Sequence, residues 1–410
     1  MIDIIVIFIF LILLVNTNQR MVKKLGLPHK YTNQLHLLLA YHVLFSFFFT
    51  AYILSSGGDS YGYWFYRMEQ VPVHYETMHE FFGTSTTFIL WMNYIPSRLM
   101  GLAYVTGNLL YGFLGFLGIR YLFLMTAKYF PTNHRVLNIP LFPIIFFFPN
   151  LHFWTAGVGK DAVCFFGIAW FLYAIQRYKE RWWQGGIALF FVYMARPHMG
   201  MSFVAAAAIA ILLGSEIKRE YKITLSILTF IALTYLSAGA LVFLEIEDFS
   251  LDTLDALSIK KAGYLSEAKS SVNIGSYSLP MKIFTYMYRP LFLDAHNVMS
   301  FLSGFENILY LYLSFYIFRN WTPEALRDMP VFVKAGIIGF IPVTLAFASS
   351  LSNLGIIMRM KNMTMIYFVL FVFFLITHQK KLRYQEMLRN RNYYARREQI
   401  IKSKSKNKEL

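Results

Sequence analysis

Residues 35–54 read LHLLLAYHVLFSFFFTAYIL, and residues 55–64 continue SSGGDSYGYW. The first stretch has no Asp, Glu, Lys or Arg. It has the length at which an α-helix, rising about 1.5 Å per residue, crosses the roughly 30 Å hydrocarbon core of a bilayer. The second stretch ends that helix on Gly57 and Gly58 and sets a carboxylate, Asp59, beside Tyr61, Tyr63 and Trp64 at the membrane surface. The apolar run is continuous, not alternating, which disfavours a transmembrane β-barrel.

The rest of the chain repeats the pattern. Of 410 residues, 57% are hydrophobic and 19% aromatic, too apolar for a soluble domain of this size. Apolar runs lie at about 2–16, 35–54, 101–127, 137–151, 162–176, 185–195, 199–214, 223–244, 298–318, 335–350 and 363–377. The expected fold is an all-α polytopic membrane protein with about 11 transmembrane helices, a single transmembrane domain over 1–377. Loops at about 55–100 and 245–290 carry short helices, and a basic tail covers 378–410. The first run has no basic residue before it and no small-residue cleavage site after it, so it reads as a membrane helix and not a signal peptide. The run at 137–151 is interrupted by Pro140, Pro143 and Pro149. Such a segment survives in a bilayer only where protein covers it or it lines a cavity. Gly112, Gly115 and Gly118 recur every third residue in the third run, a pattern for close helix packing.

The net charge of +16 would suggest nucleic acid in a soluble protein. Here the excess sits between apolar runs and in the tail, where eleven Lys or Arg face three Glu. Orientation explains it more simply. Cations after runs one, three, five and seven put those ends inside by the positive-inside rule, which places the N-terminus outside and the C-terminus in the cytoplasm. The tail suits an anionic inner leaflet. If only one of the short runs at 137–151 and 185–195 failed to cross, every downstream assignment would invert and oppose the charge pattern. The single cysteine, Cys164, excludes an intrachain disulfide and a thiolate metal cluster.

Cations on the outer face are few, which makes each a candidate, and Asp59 stands beside a helix end there. Asp59 could act as a general base towards a hydroxyl nucleophile, with Tyr61 and Trp64 offering flat faces to a sugar; equally, it could form an Asp turn beside an aromatic belt. Lys160 and Asp161 open run five. Asp161 could cap the helix, whereas a Lys opposes the helix dipole unless an anion binds there. Arg196 can fork onto a phosphate and His198 can shuttle a proton, although Pro197 could simply start the next helix. Arg289 and Arg359 are two further outer-face cations beside helix ends. Any one could snorkel; four separate outer-face cations are harder to explain so. His74 and His79 with Glu76 and Glu80 match no dedicated metal spacing, and no metal ligands are assigned. There is no Walker loop, dinucleotide glycine pattern or nucleophile elbow.

An Asp-x-Tyr element in the first large external loop, many spans and outer-face Arg and Lys resemble the GT-C superfamily of membrane glycosyltransferases and the related bacterial exopolysaccharide and O-antigen polymerase-like proteins. Trp154…Gly159-Lys160-Asp161, and Arg289-Pro290 before a helix with Glu306, are similar to positions in that broad group. The resemblance implies a polyprenyl-phosphate or polyprenyl-diphosphate sugar donor and transfer on the extracytoplasmic face of a bacterial inner membrane. Asp59 would be catalytic, and Lys160, Arg196, Arg289 and Arg359 would hold the phosphate leaving group. It implies a saccharide acceptor; the placement of the positive charge gives no reason to expect nucleic acid. No cofactor is required; a divalent cation is compatible but unnecessary, since four cations are available. The chain lacks the paired acidic residues and the soluble C-terminal domain of many members. A repeat-unit polymerase and a lipid-linked saccharide flippase are the alternatives.

Overall fold

A computed structural model describes residues 1–68, 76–131, 134–136, 139–213, 272 and 274–406, with isolated positions between 220 and 231. Most of the eighth apolar run, the acidic start of the 245–290 loop and His74 lie outside the described residues. Helix α1 (Ile2–Lys24) and α2 (Lys30–Ser56) are followed by the short α3 (Asp59–Phe65) and α4 (Thr86–Asn93), then by α5 (Tyr104–Tyr129). A two-residue antiparallel ribbon follows, β1 (Arg135–Val136) with β2 (Ile139–Pro140), Arg135 opposite Pro140. The chain continues through α6 (Leu141–Ile144), α7 (Pro149–Thr155), α8 (Lys160–Ile175), α9 (Tyr178–Ala195) and α10 (Pro197–Leu212). The C-terminal part holds α11 (Leu279–Tyr288), α12 (Val298–Asn320), α13 (Pro323–Asp328), α14 (Val331–Ser350), α15 (Leu354–Lys361) and α16 (Met365–Lys406).

The protein is an all-α membrane protein by length and apolarity. Among the described residues six helices are long and apolar enough to cross a bilayer: α1, α2, α5, α12, α14 and the apolar part of α16. The count becomes seven if α7 and α8, bent by 112°, form one broken span. Among the described residues the expected count of about eleven is not confirmed: most of the eighth run lies outside them, and several other runs do not form one full-length helix. Pro140, Pro143 and Pro149 remove helix N–H donors, so the run at 137–151 becomes ribbon, one α-turn and a 3₁₀ turn at Ile145–Phe147. Helices α8 and α10 have 16 residues each, about 24 Å, short of a full crossing.

Helix α5 is the axis of the N-terminal part. Its apolar window is 78% buried, against 11% for α1, so α1 lies at the perimeter. The glycine stripe explains how neighbours approach α5. A Cβ on Gly115 would lie 2.1 Å from the Thr155 carbonyl oxygen, and one on Gly118 would lie 2.8 Å from the Phe165 ring. The bend between α7 and α8 therefore rests directly on α5, where Asn108 Oδ1 accepts from Val158 N at 2.9 Å and its Nδ2 donates to Thr50 Oγ1. That bend carries Lys160 and Asp161.

Candidate functional site

The polar site begins at the break between α2 and α3. Gly57 has φ +76° and Gly58 φ +148°, backbone that side-chain-bearing residues adopt only with strain. These two residues turn the chain so that Asp59 opens α3. The helix is then fastened from beneath. Trp64 Nε1 donates to Leu102 O, Ser97 Oγ to Trp64 O and Asn93 Nδ2 to Tyr63 O. Tyr104 donates to Ser60 Oγ at 2.8 Å. Asp59 itself stays exposed on this fixed platform.

Four distant segments meet there. Asp161 is buried, and its two carboxylate oxygens are held by Arg196, at the α9–α10 junction, and by Arg359 of α15. Arg359 also faces Asp59, Nη1 to Oδ2 at 3.9 Å. Lys160 Nζ donates to Ser85 Oγ at 2.9 Å and lies 5.7 Å from the centre of the Tyr63 ring. Burial first, and then the charge of Asp59, push the Tyr63 phenol up to about 12, so at neutral pH it is a neutral hydroxyl. Three cations thus face two carboxylates at one end of the bundle. Asp161 does not cap α8; Gly159 occupies the N-cap position and no side-chain cap bond forms.

No protein-family model, curated protein or solved structure matches this chain. What the site can do must therefore come from its own geometry.

Two cavities flank the last turn of α2. The larger, about 790 Å³, is lined by Ile53 and Leu54, by Asp59, Tyr61 and Gly62 of α3, and by Arg67. The smaller, about 220 Å³, has Tyr52, Trp154 and Arg359 in its wall. Arg359 therefore stands between the two.

The remaining sequence candidates lie elsewhere or act differently. Trp64 is fully buried, its indole lying against Gly107 and its N–H satisfied, so the expected flat face for a sugar is not available. Tyr61 does line the larger cavity. His198 is exposed, with its ring 5.8 Å from that of Phe347. Arg289 is bound in a two-pronged pair to Asp294, Nε to Oδ2 at 2.9 Å, and its charge is spent there and not on the Asp161 cluster. Arg359, read from sequence as an outer-face cation beside a helix end, lies on helix α15, as does Lys361, which is buried.

Sequence reading missed the scaffold behind the cluster. Lys361 Nζ donates to Asn307 Oδ1 at 2.7 Å and to Arg289 O at 2.9 Å. Asn150 N donates to Glu306 Oε1 at 2.9 Å, and Asn150 Nδ2 to Asn362 Oδ1. These bonds tie α7, α12 and α15 together and fix the helix that presents Arg359. The signal was available: an ionisable residue inside an apolar helix, such as Glu306, demands a partner. Among the described residues, no group of three or more His, Cys, Asp or Glu is arranged to hold a metal ion. Glu80 instead accepts the N–H groups of Glu76 and Thr77 in a local turn.

Proposed function

We propose that the protein is an integral membrane glycosyltransferase that takes its sugar from a polyprenyl-phosphate-linked donor, in cell-surface polysaccharide or glycolipid synthesis. The observation that carries this reading is Arg359. One guanidinium touches Asp59 and Asp161 and lines the second cavity, so a base and a phosphate-binding cation share one boundary.

The setting suits a lipid-borne substrate. Leu37, Leu44, Phe47, Phe48 and Leu54 are exposed along α2, at helical spacing on one face. In a bilayer that face meets acyl chains, and it leads to the larger cavity at Leu54. The volume of about 790 Å³ falls within the roughly 300–1,000 Å³ of ordinary ligand sites. In the proposed reaction Asp59 takes the proton of an acceptor hydroxyl, and that oxygen bonds to the anomeric carbon. The bond from that carbon to phosphate oxygen breaks, and the departing phosphate takes the electron pair. Arg359, Arg196 and Lys160 stabilise its charge, while Asp161 holds both guanidiniums in place. The reading keeps a GT-C-like chain of about eleven crossings in a bacterial inner membrane, the N-terminus and the site outside, the tail inside.

Asp59→Asn tests it. Purified with its lipids, the variant should transfer sugar at least about 100-fold more slowly, the scale of a lost general base, while accumulating in the membrane as the unaltered chain does. Undiminished transfer would remove Asp59 from the reaction.

A further inference from the structure

Arg120 is a buried cation in the inner half of α5, at the opposite end of the bundle from Asp59. Its Nη1 donates to Thr17 Oγ1 at 2.8 Å and reaches Asn18 Oδ1 at 3.4 Å, both on α1. Its Cζ lies 5.7 Å from the centre of the Tyr121 ring. All three neighbours are neutral, and among the described residues no carboxylate pairs with Arg120. An arginine that only snorkels extends its head to water; this one is turned against α1. A buried charge without a counter-charge is costly, and such a group at membrane depth marks a functional site.

A second cation reaches the same place from α9. That helix loses its regular backbone at Arg181 (φ −119°, ψ 19°). The side chain folds back onto α8, with Nη1 3.2 Å from Tyr173 O and Cζ 4.2 Å from the centre of the Tyr173 ring. The Tyr173 and Tyr121 rings are 4.7 Å apart, so the two guanidiniums flank one pair of phenols. Among the described residues Arg181 has no carboxylate partner either; the neighbouring Glu180 is taken by Arg177 at 3.2 Å.

The depth is that of lipid headgroups. Helix α8 is about 24 Å long, so its turn into α9 stays at the inner edge of the bilayer. Trp182 and Trp183 are exposed beside Arg181, as in an interfacial aromatic belt. An apolar track leads from there towards the bilayer centre. Leu114, Leu117 and Tyr121 are part-exposed along one face of α5, and Phe166 and Trp170 along α8. The rings of Tyr121, Phe166 and Trp170 follow one another at 6.5 and 5.4 Å. Cations at headgroup level with an apolar track above them match one phospholipid.

We infer that the groove between α5 and α8, closed at its inner end by Arg120 and Arg181, binds an anionic phospholipid of the inner leaflet, its phosphate at the arginines and an acyl chain along Phe166 and Trp170. Basic pockets between spans on the cytoplasmic side suit such headgroups. A zwitterionic lipid brings its own cation and leaves both guanidiniums uncompensated, whereas phosphatidylglycerol supplies the missing negative charge. The lipid site does not depend on glycosyl transfer, only on a bilayer-spanning chain with this end inside.

The test uses the delipidated full chain in nanodiscs, with phosphatidylglycerol in phosphatidylcholine as probe. Melting temperature and lipid retained in native mass spectrometry are the readouts. Phosphatidylglycerol should raise the wild-type melting temperature saturably, and about one molecule should be retained in preference to phosphatidylcholine. Arg181→Gln should weaken that retention about tenfold, the scale of one charge-assisted bond. Arg120→Met should melt as high as wild type or higher in phosphatidylcholine alone, because the uncompensated charge is gone, and should gain little from phosphatidylglycerol. Arg319→Gln removes a charge in the last turn of α12 and should respond as wild type does. The basic tail also attracts anionic lipid, but every variant carries it, so the differences between them report on the groove. Unchanged retention in Arg181→Gln, or no preference for phosphatidylglycerol in the unaltered chain, overturns the site. An equal rise with glycerol phosphate would show a free anion and sink the lipid assignment. Should Arg120→Met not fold, the wild-type preference and Arg181→Gln still decide between these outcomes.

Discussion

At the residue scale, the site depends on Asp161. Among the described residues it is the one carboxylate that both Arg196 and Arg359 contact, and it is buried. Removing one partner of a buried ion pair leaves charge uncompensated, at a cost of about 3–5 kcal/mol. Asp161→Asn should therefore melt at a clearly lower temperature in detergent. Lys160→Met should move the curve much less, because Lys160 donates to a neutral hydroxyl, Ser85. Equal effects from the two would show that the arginine pair is not what holds this end together. Arg289 and Asp294 allow a pH test away from the spans. The bonds from Arg289 first, and from Leu291 N, hold the Asp294 carboxyl below its usual range. A depressed folded value means that the stabilisation is complete above the unfolded value, about 3.9, and fades as pH falls through the folded one. Melting curves of wild type and Asp294→Asn should differ by a constant amount from neutral pH down to about pH 5. The gap should close below about pH 4, and a gap that widened in acid would contradict the assignment.

At the element scale, α5 sets where Lys160 and Asp161 can be. The period of three in Gly112, Gly115 and Gly118 was legible as a packing stripe, but not that Gly115 meets main chain. Its virtual Cβ would be 2.1 Å from the carbonyl oxygen of Thr155, whereas at Gly112 the nearest atom is the Ser46 hydroxyl oxygen, which can rotate. Gly115→Ala must push the α7–α8 bend outward, at about 1–3 kcal/mol, and should weaken transfer more than Gly112→Ala. Gly186, with nothing within 4 Å, is the neutral control; a loss there as large as at Gly115 would disprove steric coupling. The same contrast explains what sequence could reveal. Long apolar runs became α1, α2, α5, α12, α14 and α16 because a bilayer crossing needs only length and hydrophobicity. The meeting of Asp59, Asp161, Arg196 and Arg359 was foreseeable from their shared position at helix ends. The partners of Trp64 and Arg289 were not, because a buried indole and an interfacial one look alike in sequence, as do a paired arginine and a free one. Helix α15 was hidden because its 8 residues include Arg359 and Lys361 and its apolar run, Leu354 to Met358, is too short to stand out.

At the scale of the whole molecule, the two ends of the bundle differ in charge. One end carries the Asp59 cluster, where α2 stops and α16 is about to begin. The other carries Lys128, bonded to Leu25 O, and the level where Gln379 of α16 donates to Asn320 O at the end of α12. Beyond it the same helix continues to Lys406, taking the basic tail away from the site. Positive charge collects on the cytoplasmic side of membrane proteins, so the tail end should be inside and the Asp59 end outside. A donor carried across the membrane on a lipid would then meet its acceptor at the outer face, away from soluble nucleotide sugars. This orientation can be checked by thiol labelling. Cys164 is buried and is the chain's one cysteine, so Cys164→Ala gives a clean background. Ser56 and Asn390 are both exposed, one beside the Asp59 cluster and the other on the tail side. With a membrane-impermeant maleimide on spheroplasts, Ser56→Cys should label at once and Asn390→Cys only after the membrane is opened. Labelling of both from outside would mean that an odd number of crossings had been misassigned between them. The reverse pattern would place the site in the cytoplasm, where a soluble nucleotide-linked donor would become the simpler substrate.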